Sequence, residues 1–185
     1  DLLCSKLRPV VNKYDFIMID CPPSLGLLTI NALAASREVI VPMQAHFLAL
    51  QGISRLFETV LMLVRGMNPN LRVTGVVLCM HEAHTNLAKE VVSDLKDFFE
   101  ASRDQDVPWR NCILLDPPIR RNVKLAEAPS FGQTIFDYEP KCAGANDYRK
   151  LVESVLEANP ANHLMEEVEL KIAGEPSEPV INDIS

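Results

Sequence analysis

No stretch of about 18 apolar residues occurs in this 185-residue chain, and no basic segment leads into an apolar run near its start. That argues against a spanning helix or a secretory leader and sets a cytosolic expectation. The five cysteines (Cys4, Cys21, Cys79, Cys112, Cys142) are scattered, odd in number and never spaced C-x-x-C. A disulfide framework, a zinc ribbon and an iron–sulfur site are thereby disfavoured, and the cysteines read as small hydrophobes. Glycine is scarce, at seven residues, and no Gly-Lys-Ser/Thr triplet occurs anywhere. A phosphate-cradling loop is therefore missing from these residues.

Positive charge is not in excess either. The formal net charge is −7, and residues 153–185 account for it, with eight acids against Lys171 alone. The body is neutral, so a low isoelectric point leaves room for a local basic patch. At 48% apolar and 23% charged, the composition suits a single α/β-sized core.

Residues 14–20, Tyr-Asp-Phe-Ile-Met-Ile-Asp, predict a strand buried on both faces and ended by Pro22 and Pro23. A helix capped by Ser24 is expected over 24–36, and a β-branched strand over 39–41, stopped by Pro42. Apolar residues at helical spacing from Leu50 to Val64 predict a long helix ended by Gly66 and Pro69. Further strands are expected over 73–80 and 112–115. Between them lies an amphipathic helix capped by Thr85 or Asn86. A short helix over 119–125, a fifth extended piece over 134–138 and a closing helix over 143–156 complete the pattern. Such alternation requires parallel strands with helical crossovers. Residues 1–157 form the expected domain, and 158–185 an acidic, mostly disordered tail.

In an open parallel sheet, ligands sit beyond the carboxyl ends of the strands, and Asp20 closes one. Such a carboxylate suits a magnesium ion held through its water shell, or an oriented water; it equally suits a cap for the helix that follows. The Pro22-Pro23 turn is stiff, and Gly26 offers backbone freedom.

Residues 20–33 (DCPPSLGLLTINAL) resemble the second acidic motif of the ParA/Soj partition ATPases, relatives of the MinD cell-division ATPases. Val41-Pro42-Met43-Gln44, Thr85-Asn86-Leu87 and residues 121–132 (RNVKLAEAPSFG) agree in the same order, from about Leu2 to Leu156. The resemblance implies a doubly wound, mainly parallel α/β sheet flanked by helices, P-loop-NTPase-like but incomplete at its N-terminus. It also implies a fragment that lacks the phosphate cradle and does not hydrolyse ATP alone.

By resemblance, Asp20 is the catalytic and magnesium-associated acid of a switch, and Pro22, Pro23 and Gly26 shape the part that senses the γ-phosphate. Arg121 and Asn122 match the segment beside the adenine of ATP. Lys124, Arg120, Arg121 and His84 match a surface for nonspecific double-stranded DNA; Arg120 stands where relatives commonly have proline, and His84 where they often have arginine. The implied function is DNA segregation, of a chromosome or plasmid, by an ATP-dependent homodimer stimulated by a ParB-like partner, cytoplasmic and nucleoid-associated. The alternatives are a non-catalytic DNA- or partner-binding module that modulates an intact homologue, and a MinD-like membrane-cycling ATPase. The acidic C-terminal segment disfavours the last, and no membrane is expected as a partner. His81 and His84 are weak as a metal pair. Phe131 is expected as a core anchor, and Trp109 and the methionines at 43, 62, 67 and 80 as packing. Loss of an adjoining strand would expose a sheet edge and an apolar face.

Overall fold

Alternating β-branched and aliphatic residues let β1 (Glu38–Met43) and β2 (Arg72–Leu78) present opposite faces to two layers of helix. In the computed structural model, which describes residues 2–158, these strands and β3 (Ile113–Leu114) form a parallel sheet of order β1-β2-β3. The helices are α1 (Leu2–Leu7), α2 (Leu27–Ala35), α3 (Phe47–Gly66), α4 (Asn86–Ser102), α5 (Val123–Glu127), α6 (Ile135–Tyr138) and α7 (Ala143–Ala158). The acidic segment 159–185 lies outside the described residues.

One face of the sheet, carrying Val41, Met43, Val73, Val76 and Leu78, packs against α3 and α4 through Phe57, Val60, Val91 and Leu95. Trp109 joins this layer, its ring 4.8 Å from that of Phe57. The opposite face, with Ile40 and Val77, meets Leu115, Ile119 and Leu151 of α7. Gly75 makes the second layer possible, since a Cβ there would lie 2.6 Å from Leu115 Cδ1. Beside it, Val39 pairs with Val73 and Ile40 with Gly75, leaving Thr74 as a bulge. Pro42 sits within β1, its nitrogen turned away from β2, because the next residue, Met43, accepts from the Cys79 N–H at 2.7 Å.

The expected helices over 50–64, 86 onward and 143–156 are present, and Thr85 caps α4 by accepting from the Ala88 N–H at 3.3 Å. Several expectations are corrected. Residues 14–20 form no strand; Phe16, Ile17 and Met18 are exposed, Met18 at 89%. The open side of β1 has no strand beside it among the described residues, and an apolar run without a ladder partner cannot satisfy its backbone as a strand. Helix α2 starts at Leu27 rather than Ser24, whose carbonyl instead accepts the Thr29 hydroxyl at 2.6 Å. Gly26 has φ −87°, a conformation open to any residue. Within 134–138, residues 135–138 are helical, capped by Thr134, which accepts from the Asp137 N–H. The short helix begins only at Val123, because Ile119 and Arg120 extend toward His81.

Candidate functional site

Beyond the carboxyl ends of β2 and β3 the chain forms two facing loops. The His81 N–H donates to Ile119 O at 2.9 Å and the Ile119 N–H to Leu78 O at 2.8 Å. These bonds open a groove of about 650 Å³ lined by His81, Glu82, His84, Pro117, Pro118, Arg120, Arg121 and Asp147, among others. Three sequence-predicted residues, His84, Arg120 and Arg121, therefore share one groove. Lys124 follows on α5, whose cap is Asn122, accepting from the Lys124 N–H at 2.8 Å.

Each cation has an acid. Asp147, 1% exposed on α7, accepts from the Arg120 backbone N–H at 3.2 Å and from its Nε and Nη2 at 2.7 and 2.6 Å. The fork holds the Asp147 carboxyl below its ordinary range against the opposing effect of burial, and it raises the Arg120 guanidinium in turn. Arg121 meets Glu82 at 3.2 Å in the open. Lys124 Nζ donates to Glu127 Oε2 at 2.8 Å, and the Tyr138 hydroxyl donates to the same oxygen at 3.0 Å. Lys124 is raised and Glu127 lowered, each chiefly by the hydrogen bond between them. Tyr138 is raised, chiefly by its bond to Glu127.

Phe131 is not a core anchor: it is 65% exposed and stacks on Tyr138 at 5.1 Å. Met43 is buried as expected, whereas Met62, Met67 and Met80 are exposed. Asp20, Pro22, Pro23 and Gly26 lie on an exposed stretch between α1 and α2, and none of them lines the groove. Sequence reasoning missed Asp147, Glu82, Glu127 and Tyr138. Two left a signal: Asp147, an acid one turn before Leu151 on the apolar side of the closing helix, and Glu127, an acid three residues after Lys124 on one short helix.

Among the described residues no group of three or more His, Cys, Asp or Glu side chains is arranged to hold a metal ion. Magnesium bound with a nucleotide uses one or two carboxylates plus the phosphates. Asp20 offers an exposed carboxylate, but no Gly-Lys-Ser/Thr loop occurs in this sequence to hold the phosphates. These residues alone do not fit an ATP–magnesium site.

The fold matches solved structures. Cobyrinic acid a,c-diamide synthase from Mycobacterium smegmatis, with bound ATP analogue and magnesium, aligns at TM-score 0.61 and 29% identity, over 84% of this chain and 52% of that one. The cell division ATPase MinD of Pyrococcus furiosus aligns at 0.61 and 20% identity, over 84% and 57%. The architecture is thus that of the P-loop NTPase-like α/β proteins, a parallel sheet flanked by helices. A family model described as an AAA domain matches residues 1–73. The sporulation initiation inhibitor protein Soj of Bacillus subtilis is 44% identical over 149 residues, which are 80% of this chain and 54% of Soj. The chromosome partitioning protein ParA of Myxococcus xanthus is 40% identical over 145 residues, 78% of this chain and 47% of ParA. Within that class the chain belongs to the ParA/Soj family. It spans about half the length of these curated relatives.

Proposed function

We propose that this chain carries the DNA-facing and switch-bearing portion of an ATP-driven DNA-segregation protein. The observation that carries the reading is the gathering of His84, Arg120 and Arg121 around one groove, with Lys124 adjacent, at the carboxyl ends of a parallel sheet in a ParA/Soj relative. Arg121 and Lys124 are the phosphate contacts, since each meets only a partly exposed glutamate; Arg120, likewise open to solvent, has its guanidinium forked onto the buried Asp147 and shapes the loop. His84, exposed beside them in the groove, adds a weaker contact. Arg121 and Asn122 border the adenine side of the nucleotide. Asp20, with Pro22, Pro23 and Gly26, senses the γ-phosphate in the ATP-bound homodimer. A ParB-like partner triggers hydrolysis, and the protein works on the nucleoid in the cytoplasm. ATP turnover is not expected of these residues by themselves.

A fluorescently labelled duplex tests this reading. Two phosphate contacts give a log–log salt slope of about −2, independent of sequence. Lys124→Ala is expected to make the slope shallower by about 1 while leaving any sequence preference flat. Unchanged retention of that variant at low salt would remove Lys124 from the interface.

A further inference from the structure

The acids facing the cationic residues differ in kind. Asp147 is buried and fixed to Arg120, whereas Glu82 meets Arg121 loosely in the open. Glu127 is different: its Oε2 is held from two sides, by Lys124 Nζ at 2.8 Å and by the Tyr138 hydroxyl at 3.0 Å, yet its side chain is 37% exposed. The Tyr138 ring lies 5.8 Å from the same ammonium and is backed by Phe131 in a stack tilted by 20°. An ordinary surface pair separates freely, but here the carboxylate cannot swing off Lys124 without also leaving Tyr138.

We infer that Glu127, anchored by Tyr138, acts as a built-in competitor for Lys124, setting how strongly that lysine engages a nucleic-acid phosphate. The inference rests on the DNA reading above and deepens it. A phosphate approaching Lys124 meets an anion already hydrogen-bonded to it and placed so that it also repels the newcomer. Lys124 is therefore a weak contact in this sequence, and Glu127 is the positioning residue that makes it so.

The test uses the whole chain, a labelled duplex, and Glu127→Gln alone and combined with Lys124→Ala. Asp94→Asn, an exposed acid on α4, makes the same change in net charge elsewhere. Glu127→Gln is expected to tighten binding about two- to fivefold at about 50 mM salt, and the gain should fade near 200 mM. It should vanish in the Lys124→Ala background, and Asp94→Asn should not reproduce it. Tyr138→Phe, which frees the carboxylate to swing, should shift binding the same way by less. A Glu127→Gln variant that binds no better than Asp94→Asn, or whose gain survives without Lys124, overturns the inference.

Acetylation of Lys124 by acetic anhydride, read by mass spectrometry without nucleic acid, separates the two failures. Rising reactivity in Glu127→Gln with no duplex retention by any variant sinks the DNA reading and leaves the masking of Lys124 standing. Unchanged reactivity sinks the masking whatever the duplex does.

Discussion

Asp147 is the residue on which the groove depends. It is a carboxylate nearly closed to water, and three hydrogen bonds from one arginine offset the cost of burying it. Asp147→Asn keeps the shape but faces the guanidinium with a neutral amide. We expect a loss of about 1–2 kcal/mol, the lower part of the range for charged hydrogen bonds because the arginine head is open to solvent. Urea unfolding measures it, and a variant as stable as the parent would refute it. The pH dependence has a definite sign. The folded carboxyl titrates below its unfolded value, so its contribution is complete above about pH 4 and drains away as pH falls through the lowered value. Asp147→Asn should therefore lose less stability between about pH 4 and pH 2 than the parent does. The sequence showed the cations of this region but not the counter-ions of its two arginines. Arg120, Arg121 and Lys124 stand within five positions, whereas Asp147 lies 27 residues on from Arg120 and Glu82 39 residues before Arg121. Only the fold brings them together.

At the scale of elements, the missing side chain at position 75 leaves room for Leu115 to pack over β2. Gly75→Ala drives a methyl into Leu115, an overpacking expected to cost about 1–3 kcal/mol. Leu115→Ala in the same chain should recover part of it, so the two changes together cost less than their sum. Strict additivity in denaturant melts would show that the two positions do not meet. Helices α3, α4 and α7 were legible because each repeats its apolar face over several turns and α4 carries its own cap. Residues 14–20 were misread for the opposite reason. Their composition is that of an interior strand, but a strand also needs a neighbour, which no local pattern encodes. Residues 134–138 were misread because four residues are too few to reveal a period, and the Thr134–Asp137 capping contact decided the outcome.

Taken whole, the molecule has a well-filled interior beneath α3, α4 and α7 and a bare apolar side around its first 28 residues. Leu2, Tyr14, Met18, Leu27 and Leu28 are each more than three-fifths exposed. Large apolar side chains left in water favour association. Sedimentation velocity should therefore reveal concentration-dependent self-association, which Met18→Lys with Leu27→Glu and Leu28→Glu diminishes. A parent chain that stays monomeric across the accessible range would contradict this. The fold class was readable from the alternation of helices and strands, and an exposed apolar face was expected beside a missing strand, but the residues that form it were not, since each of these segments reads as interior material. The border of the sheet carries one last consequence. Along β1, Ile40 points its amide outward, but Pro42, two residues on, has no hydrogen to offer. A newcomer aligning there finds the row of outward donors broken at Pro42, so a chain with an acceptor opposite that position is turned away, and indiscriminate fibril-like stacking finds no continuous template.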